Sequence, residues 1–209
     1  MSPFNEINDK EKEKLLENLN AHIYNFNKGD ELITLINLKN MIGIILDGAT
    51  KLILNSYTGE EILIEEYKKD SIFGTNISDI NNVDTKMYAI TNTKVAIFDY
   101  NVLIGDTLIQ KEWYNKFIKN LFQILILRSN EINKRLRILT KKSIRDRLIE
   151  YFNIEYENKH SNVLKLEMSL KNLADYLSVN RSAMFREIKY LKEDNIININ
   201  NKKVTILYK

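Results

Sequence analysis

The residues best suited to chemistry lie in one stretch near the C-terminus, SLKNLADYLSVNRSAMFREIKYLK. Ser182, Arg186 and Lys189 recur in it at helical spacing, Phe185 lies beside them, and Arg181 precedes them. An arginine at the start of an exposed helix can donate two hydrogen bonds to guanine O6 and N7 in the major groove of DNA. Lysines and hydroxyls farther out can contact phosphate, which adds affinity but little sequence information. These residue types therefore indicate binding to double-stranded DNA.

Two short helices and a tight turn would position these side chains. Ser169 is a good N-cap for the first helix, and the second helix is predicted over 181–192. The connection between them, SVN, is short, with Val179 as an apolar plug. The spacing predicts a helix-turn-helix whose second helix has an exposed basic face. The apolar positions on the buried side are Leu170, Leu173, Ala174 and Leu177 in the first helix and Met184, Ile188 and Leu191 in the second.

A β-hairpin is predicted after the second helix. The runs Ile196–Ile199 and Val204–Tyr208 flank Asn200-Asn201, and asparagine tolerates the left-handed backbone of a tight turn. Lys202 and Lys203 lie at the tip of this hairpin and could approach the DNA backbone. The hairpin is therefore predicted to form the wing of a winged helix-turn-helix.

Charge is distributed unevenly along the 209 residues. Residues 141–209 hold 14 Lys and Arg against 9 Asp and Glu, a net charge of +5. Residues 1–140 hold 17 against 19, a net charge of −2. A basic C-terminal third indicates an anionic partner at that end, although a solvated basic surface would give the same count.

Composition excludes several classes of site. The chain has no cysteine, which excludes a disulfide scaffold, cysteine-ligated zinc, an iron–sulfur cluster and a thiol nucleophile. Its two histidines are too few for a histidine-built zinc site, and no P-loop or nucleophile elbow is visible, so an enzyme is not predicted. No apolar run approaches the roughly 18 residues that span a bilayer, and the charged N-terminus has no signal core. We therefore expect a cytoplasmic protein with no membrane partner.

The first half of the chain has the pattern of a β domain. All six glycines lie there, most of them between short runs rich in Ile, Leu and Val. Six or more such runs at roughly regular spacing predict an antiparallel β-roll or barrel over residues 1–109. Asn8 and Glu11 form a capping-box pattern for a short helix ahead of it. The runs are Leu32–Ile36, Met41–Leu46, Lys51–Leu54, Ile62–Tyr67, Lys86–Ile90 and Lys94–Tyr100.

A long helix is predicted over residues 110–139. It contains no glycine or proline, and its apolar residues advance by alternating four and three positions. Such a heptad seam favours pairing with a second copy of the helix in a homodimer, although a helix buried inside a monomer would show similar spacing. The seam positions are Ile118, Phe122, Leu125, Ser129, Ile132 and Leu136.

Residues 140–209 would form the DNA-binding domain. A helix is predicted from Lys141 to Tyr151, followed by a polar stretch and a short strand over Val163–Leu166. The connection near Leu139–Lys141 would act as a hinge between the long helix and this domain.

Taken in order, these parts resemble the Crp/Fnr family of bacterial transcription regulators over nearly the full chain. NFNKGDELITLINLKNMIGIILDGATKLIL resembles the strand–GD–strand–DG–strand opening of the family's sensor domain. SLKNLADYLSVNRSAMFREIKYLKEDNII resembles its helix-turn-helix and is the more specific match. The resemblance implies an α+β fold with an N-terminal antiparallel β-roll of the cyclic-nucleotide-binding type, a long dimerisation helix and a C-terminal winged helix-turn-helix.

The resemblance also implies roles for individual residues. Arg181 and Arg186 would read bases, Ser182 would face a base or a phosphate, and Ser169 would contact phosphate. We expect a homodimer that reads a palindromic operator through the 181–192 helix, with RNA polymerase as a further partner. The predicted DNA-contacting set is Ser169, Lys171, Asn180, Arg181, Ser182, Phe185, Arg186, Lys189 and Lys202.

The chain departs from the family pattern in three places. Ser178 stands where the family often has glycine, which suits a turn that needs no positive φ, and Phe185 stands where a small residue is common. Phe73-Gly74 is followed by threonine, and the segment NVDTK that ends at Lys86 lacks the arginine that binds the phosphate of a cyclic nucleotide. Lys86 could supply a point charge but not a planar fork. Cyclic AMP binding is therefore not expected.

The effector of the β-roll is left open by the sequence, and no cofactor is predicted. The absence of cysteine excludes the iron–sulfur branch of the family. Haem stays an alternative, although we expect His22 at a strand edge and His160 in a loop, neither of them at an axial-ligand position. An effector bound in the β-roll would shift the population between two conformations and so reorient the DNA-binding domains. A second class of function also stays open, a ligand-binding module whose helix-turn-helix mediates protein–protein contact.

Overall fold

The computed structural model describes residues 1–32, 40–55, 61–74, 84–104, 111–200 and 202–208. The chain has an α+β fold and divides into two compact units, Met1–Leu125 and Ile126–Lys209. Most of the predicted strand Leu32–Ile36 lies outside the described residues, and so does Thr75, which follows Phe73-Gly74.

The N-terminal unit begins with the helix α1 (Asp9–Asn18), and the predicted capping box starts it. The side-chain oxygen of Asn8 accepts a hydrogen bond from the Glu11 N–H at 3.0 Å, and the Glu11 carboxylate accepts one from the Asn8 N–H at 3.0 Å. Leu15 and Leu19 are fully buried on the other side of this segment. The cap therefore fixes where the helix starts, and the two leucines anchor it to the core.

Strands in two antiparallel sheets follow α1 and confirm the predicted β-roll. The described strands are β1 (His22–Phe26), β2 (Met41–Asp47), β3 (Ala49–Asn55), β4 (Glu61–Lys68), β5 (Ile72–Gly74), β6 (Asp84–Ala89) and β7 (Thr93–Asp99). Neighbouring strands run β1-β7-β2-β5 in one sheet and β4-β3-β6 in the other. The predicted runs include neither β1 nor β5. The strand β1 contains only one Ile, Leu or Val, and the three residues of β5 are too few to show an alternating pattern.

The interior of the β-roll is filled by apolar side chains from both sheets. Leu52, Met87 and Val95 are each at most 3% exposed. Gly43 on β2 lies directly against the ring of Phe73, and a Cβ at this position would overlap the ring. Glycine is therefore required here by the close approach of an aromatic side chain.

The unit continues through α2 (Tyr100–Leu103) into the long helix α3 (Glu112–Leu139). Phe117 is fully buried, and its ring stacks on that of Phe4 with the centroids 5.9 Å apart. The buried amide of Asn120 donates to two backbone carbonyls of the N-terminal segment, at 2.8 and 3.1 Å. The first turns of α3 are thus fixed to the N-terminal unit by one face.

The C-terminal unit holds the remaining elements and a small antiparallel sheet. After the end of α3 they are α4 (Ile144–Lys159), β8 (Val163–Lys165), α5 (Leu170–Tyr176), α6 (Arg181–Glu193), β9 (Ile197–Asn200) and β10 (Lys203–Ile206). The sheet has the order β8-β10-β9, so the predicted hairpin of β9 and β10 is joined by the predicted short strand. One apolar core, which includes Leu148, Phe152, Leu164 and Val204, unites these elements.

The helix α4 is longer than the sequence predicts. It begins at Ile144 after the N-cap Ser143 and ends at Lys159, so the predicted end at Tyr151 is wrong. The residues that follow Tyr151 are mostly polar, but Ile154 is only 4% exposed in the core. One buried face is enough to continue the helix, while the polar side chains occupy its outer face.

Candidate nucleic-acid interface

The predicted helix-turn-helix consists of α5 and α6, and polar side chains cap both helices. Ser169 Oγ accepts a hydrogen bond from the backbone N–H of Asn172 at 3.2 Å. Asn180 Oδ1 accepts one from the backbone N–H of Ala183 at 3.2 Å. Of the predicted buried side only Leu170 is half-buried, packed against the core. The others are at most 5% exposed: Leu173, Ala174, Leu177, Met184, Ile188 and Leu191.

The turn between the two helices has a positive φ, contrary to the expectation for Ser178. The φ of Ser178 is +52°, in the left-handed region that costs an L-residue about 1 kcal/mol or more and glycine much less. The guanidinium of Arg147 supports this turn by donating to the carbonyls of Leu177 at 3.0 Å and Ser178 at 3.2 Å. Sequence reasoning missed Arg147, because contacts between residues so far apart leave no local pattern.

The outward side of α6 carries most of the predicted contact residues. Within the described ranges, neither Arg181 nor Arg186 forms an ion pair, whereas Lys189 Nζ lies 3.6 Å from a carboxylate oxygen of Glu193. Both guanidinium groups are therefore available for an external acceptor. The exposed members of the predicted set on this helix are Arg181, Ser182, Phe185, Arg186 and Lys189.

Contacts among side chains organise the N-terminus of α6. The guanidinium carbon of Arg181 lies 5.7 Å from the centre of the Phe185 ring, a distance typical of a cation–π contact. Ser182 Oγ donates to Asn180 Oδ1 at 2.6 Å. The oxygen of Asn180 is thus committed to capping, which leaves its amide NH₂ as the group that could reach DNA. Phe185, which is 40% exposed, is one of the three departures noted in the sequence, and its ring here contacts the Arg181 guanidinium.

The other predicted contacts lie on α5 and on the wing. Ser169 and Lys171 are exposed at the start of α5, although the Ser169 hydroxyl already serves as its cap. Lys202 is exposed between β9 and β10, and its carbonyl accepts a hydrogen bond from the Leu166 N–H at 2.7 Å. An open groove of about 440 Å³ along the small sheet is lined by Lys202 together with Lys203 and Lys165. Lys165 was missed as a basic residue of the wing, since only the pairing of β8 with β10 brings it there.

Acidic side chains of the same unit are engaged by other cations. Arg145 binds Glu187 at 3.3 Å and Asp194 at 2.6 Å. Glu150 accepts from two cations at 2.7 and 3.1 Å; burial opposes its ionisation, but these hydrogen bonds outweigh it and lower the pKa of Glu150. These pairs neutralise acids that could otherwise bind Arg181 or Arg186, which form no ion pair with any described residue.

The predicted seam on α3 is largely uncovered. Ser129 is exposed, and only Ile118 is half-buried, packed against the core of the N-terminal unit. Within the described residues, no helix is both long and apolar enough to cross a bilayer. An exposed stripe of large apolar side chains is typical of an interaction surface. The exposed fractions are Phe122 62%, Leu125 60%, Ile132 67% and Leu136 58%.

The described residues include those that the sequence analysis considered for binding a cyclic nucleotide or haem. Phe73 is buried in β5, and Lys86 is half-buried on β6. His22 is exposed on the edge strand β1, and His160 follows α4 as its C-cap with a φ of +48°. No group of three or more His, Cys, Asp or Glu in the described ranges could hold a metal ion. Loss of the cyclic-nucleotide cassette stays a prediction from the sequence.

Solved structures match the chain over nearly its full length, whereas no protein-family model and no curated protein sequence matches it. CprK complexed with OCPA is 17% identical, with 93% of this chain and 91% of that chain covered and a TM-score of 0.60. The catabolite activator protein of Thermus thermophilus is 16% identical, with 98% and 93% covered and a TM-score of 0.52. A mutant of CooA from Carboxydothermus hydrogenoformans is 16% identical, with 92% and 85% covered and a TM-score of 0.51.

At this level of identity the matches show the fold. The chain has the fold of Crp/Fnr regulators, an antiparallel β-roll followed by a long helix and a winged helix-turn-helix, as the resemblance in the sequence implies.

Proposed function

We propose that the chain is a homodimeric, sequence-specific DNA-binding transcription regulator of the Crp/Fnr type. The observation that carries this proposal is the outward side of α6, where Arg181 and Arg186 are exposed and form no ion pair with any described residue. The helix that carries them is capped at its start and packed by its opposite side. Their guanidinium groups would donate to guanine edges in the major groove. Phe185 would contact a thymine methyl, and Ser182 a base or a phosphate.

The remaining predicted residues would position the protein on the DNA backbone. Lys171 and Lys189 lie on exposed sides of α5 and α6, and Lys202 lies on the wing. Contacts from lysines to phosphates release counterions, so they supply affinity that falls with salt concentration. Ser169 and Asn180 would add contacts through the polar atoms that capping leaves over.

The exposed seam of α3 supports the dimer. Two copies that pair through Phe122, Leu125, Ile132 and Leu136 would remove these side chains from water at about 25 cal/mol per Å² of apolar area. A two-fold dimer presents two copies of α6, which would enter successive major grooves of a palindromic operator. RNA polymerase would be a further partner, and the protein would act in the cytoplasm.

The three predicted segments would divide the work between sensing, pairing and DNA binding. Residues 1–109 would sense an effector, 110–139 would pair two copies, and 140–209 would bind DNA. Thr140 to Ser143 connect α3 to α4, and the guanidinium of Arg147 donates to the Lys141 carbonyl at 3.0 Å. Because Arg147 also holds the turn of the helix-turn-helix, a change in this hinge would reach α6.

Capture of genomic DNA tests the proposal. The purified wild-type protein is incubated with fragments of its own genome, and the retained fragments are sequenced. We expect a shared palindrome from the wild type and none from Arg181→Ala/Arg186→Ala. Lys10→Ala/Lys14→Ala is the matched control, because it removes the same two charges from exposed positions of α1 and should still recover the palindrome.

If the wild-type protein captures no shared DNA sequence, the capture is repeated with cell extract and with haem. Addition of cell extract or of haem tests whether an effector must first populate the DNA-competent state. Continued failure, or DNA affinity that does not respond to salt, would contradict the proposal and favour a helix-turn-helix that mediates protein–protein contact.

A further inference from the structure

A polar cavity of about 350 Å³ lies within the C-terminal unit, and the described residues that line it include none of α6. Glu131 and Lys134 from the end of α3 line one wall, and residues of α4 line another. Glu167, just before the helix-turn-helix, and Tyr176, the last residue of α5, complete it. Its volume lies at the small end of the range for ligand pockets.

Tyr151 is the most deeply buried polar residue among those that line this cavity. Tyr151 lines the cavity but is only 6% exposed, and its ring packs edge-on against Tyr176 with the centroids 6.0 Å apart. Burial raises the pKa of Tyr151, and the charges of Glu155 and Glu167, which also line the cavity, raise it further. Within the described residues the hydroxyl makes no hydrogen bond. The hydroxyl oxygen is itself reached by solvent, although the rest of the side chain is buried, so it is free to bind a donor.

Three carboxylates line the same cavity as this hydroxyl. Three glutamates and two lysines line the cavity, so its formal charge is −1. Glu131 binds Lys134 at 2.8 Å through one oxygen, and Glu155 and Glu167 share Lys159 at 2.9 and 3.7 Å through one oxygen each. The second oxygen of each carboxylate makes no hydrogen bond to any described residue. The cavity therefore offers carboxylate oxygens that are free to accept hydrogen bonds.

The acceptors lie at two depths. The side chain of Glu155 is 23% exposed, near the buried Tyr151, whereas those of Glu131 and Glu167 are 65% and 84% exposed at the mouth. Ile138 and Ile154 supply apolar wall in the same cavity. A short chain with a cation at each end would match this arrangement, with its methylenes against the isoleucines.

We propose that this cavity binds a small linear diamine, with one ammonium at Glu155 and the Tyr151 hydroxyl and the other at Glu131 and Glu167. Each ammonium donates to carboxylate oxygens that the lysines leave free, and such charge-assisted hydrogen bonds are the strong ones. The rings of Tyr151 and Tyr176 add to the attraction for a cation, as the guanidinium of Arg135 already shows at 5.7 Å from the centre of the Tyr176 ring.

The site would regulate DNA binding, an inference that rests on the proposed function. Its walls come from the end of α3, from α4 and from Tyr176 at the end of α5. A bound diamine therefore touches both the pairing helix and the helix-turn-helix. Binding that favours one arrangement of these elements shifts the population of DNA-competent protein.

Isothermal titration of the full-length protein with putrescine, without DNA, tests the site directly. We expect one diamine per chain, and no binding of butane-1,4-diol, which has the same length and no charge. Tyr151→Phe removes the hydroxyl and keeps the ring, and Glu155→Gln removes one charge; each should weaken binding by about tenfold. Glu157→Gln is the matched control, because it removes the same charge from α4 outside the cavity and should bind like the wild type.

Circular dichroism first shows that each variant is folded, and the two variants in the cavity test the site independently. Absence of putrescine binding to the wild type would overturn the proposal, as would equal loss in Glu157→Gln and Glu155→Gln, which indicates unspecific attraction to a negative surface. Because this titration contains no DNA, it can succeed when genomic capture fails and fail when capture succeeds.

Discussion

The helices α3 and α6 both have an apolar buried face, but their exposed faces differ in chemistry. Each buries an apolar face, with Phe117 in α3 and Met184 in α6 fully buried. The uncovered face of α3 is apolar, with Ile132 67% exposed, whereas the uncovered face of α6 carries arginines. The type of residue on the second face therefore indicates which partner would cover it, a second copy for α3 and an anionic groove for α6.

Breaking the apolar face of α3 should give the largest effect. Ile132→Glu would place two carboxylates near each other in the proposed dimer seam, where burial of charge is costly, so we expect dimerisation to weaken by about 100-fold or more. Sedimentation equilibrium at micromolar concentration measures it. Asn133→Glu, on the next and already polar position, should stay dimeric, and a wild-type protein that sediments as a monomer would contradict the seam.

Removing one guanidinium from the outward face of α6 should have the next largest effect. Arg186→Ala should cost about 1–3 kcal/mol of operator binding and relax preference at one base pair of each half-site. Competition between operators that differ at single positions measures both quantities. Unchanged operator affinity would remove Arg186 from the residues that read bases.

A lysine on the wing should act more weakly and without preference for sequence. Lys202→Ala should weaken binding to all duplexes alike and reduce the slope of log affinity against log salt by about 1, because one phosphate contact is lost. Anisotropy titrations at several salt concentrations measure this slope. A changed sequence preference would show that Lys202 contacts bases and not phosphate.

Glycine substitutions in the turn that joins α5 to α6 and within α6 should have small and opposite effects on stability. Ser178→Gly should raise the free energy of unfolding by about 0.5–1 kcal/mol, because glycine adopts the φ of +52° without strain. Ser182→Gly, within α6, should lower it by about 0.5 kcal/mol. Urea denaturation measures both, and a destabilised Ser178→Gly variant would mean that the hydroxyl contributes more than the backbone strain costs.

Local sequence patterns predict those features of the fold that depend on a single helix or strand. The capping box of Asn8 and Glu11 starts α1 as predicted, and the apolar spacing of Met184, Ile188 and Leu191 gives α6 to within one residue of its end. The resemblance to Crp/Fnr regulators supplies the order of the domains. These features depend on residues close in sequence or on a long matched segment.

Features that depend on distant contacts could not be predicted in this way. The turn at Ser178 takes a positive φ and is supported by Arg147, 31 positions earlier, and neither fact has a local signature. The end of α4 was misplaced because the burial of Ile154 depends on the surrounding core. The cavity beside Tyr151 joins residues from α3, α4 and α5, so only the folded unit reveals it.

Footprinting of the wild-type protein on a captured fragment tests the central claim most directly, because it depends on both helices at once. We predict two protected segments related by two-fold symmetry, with centres about 10–10.5 base pairs apart, one for each α6 of the dimer. The Ile132→Glu variant should lose this paired protection at the same protein concentration. A single protected segment with the wild type, or none on any fragment, would contradict the account.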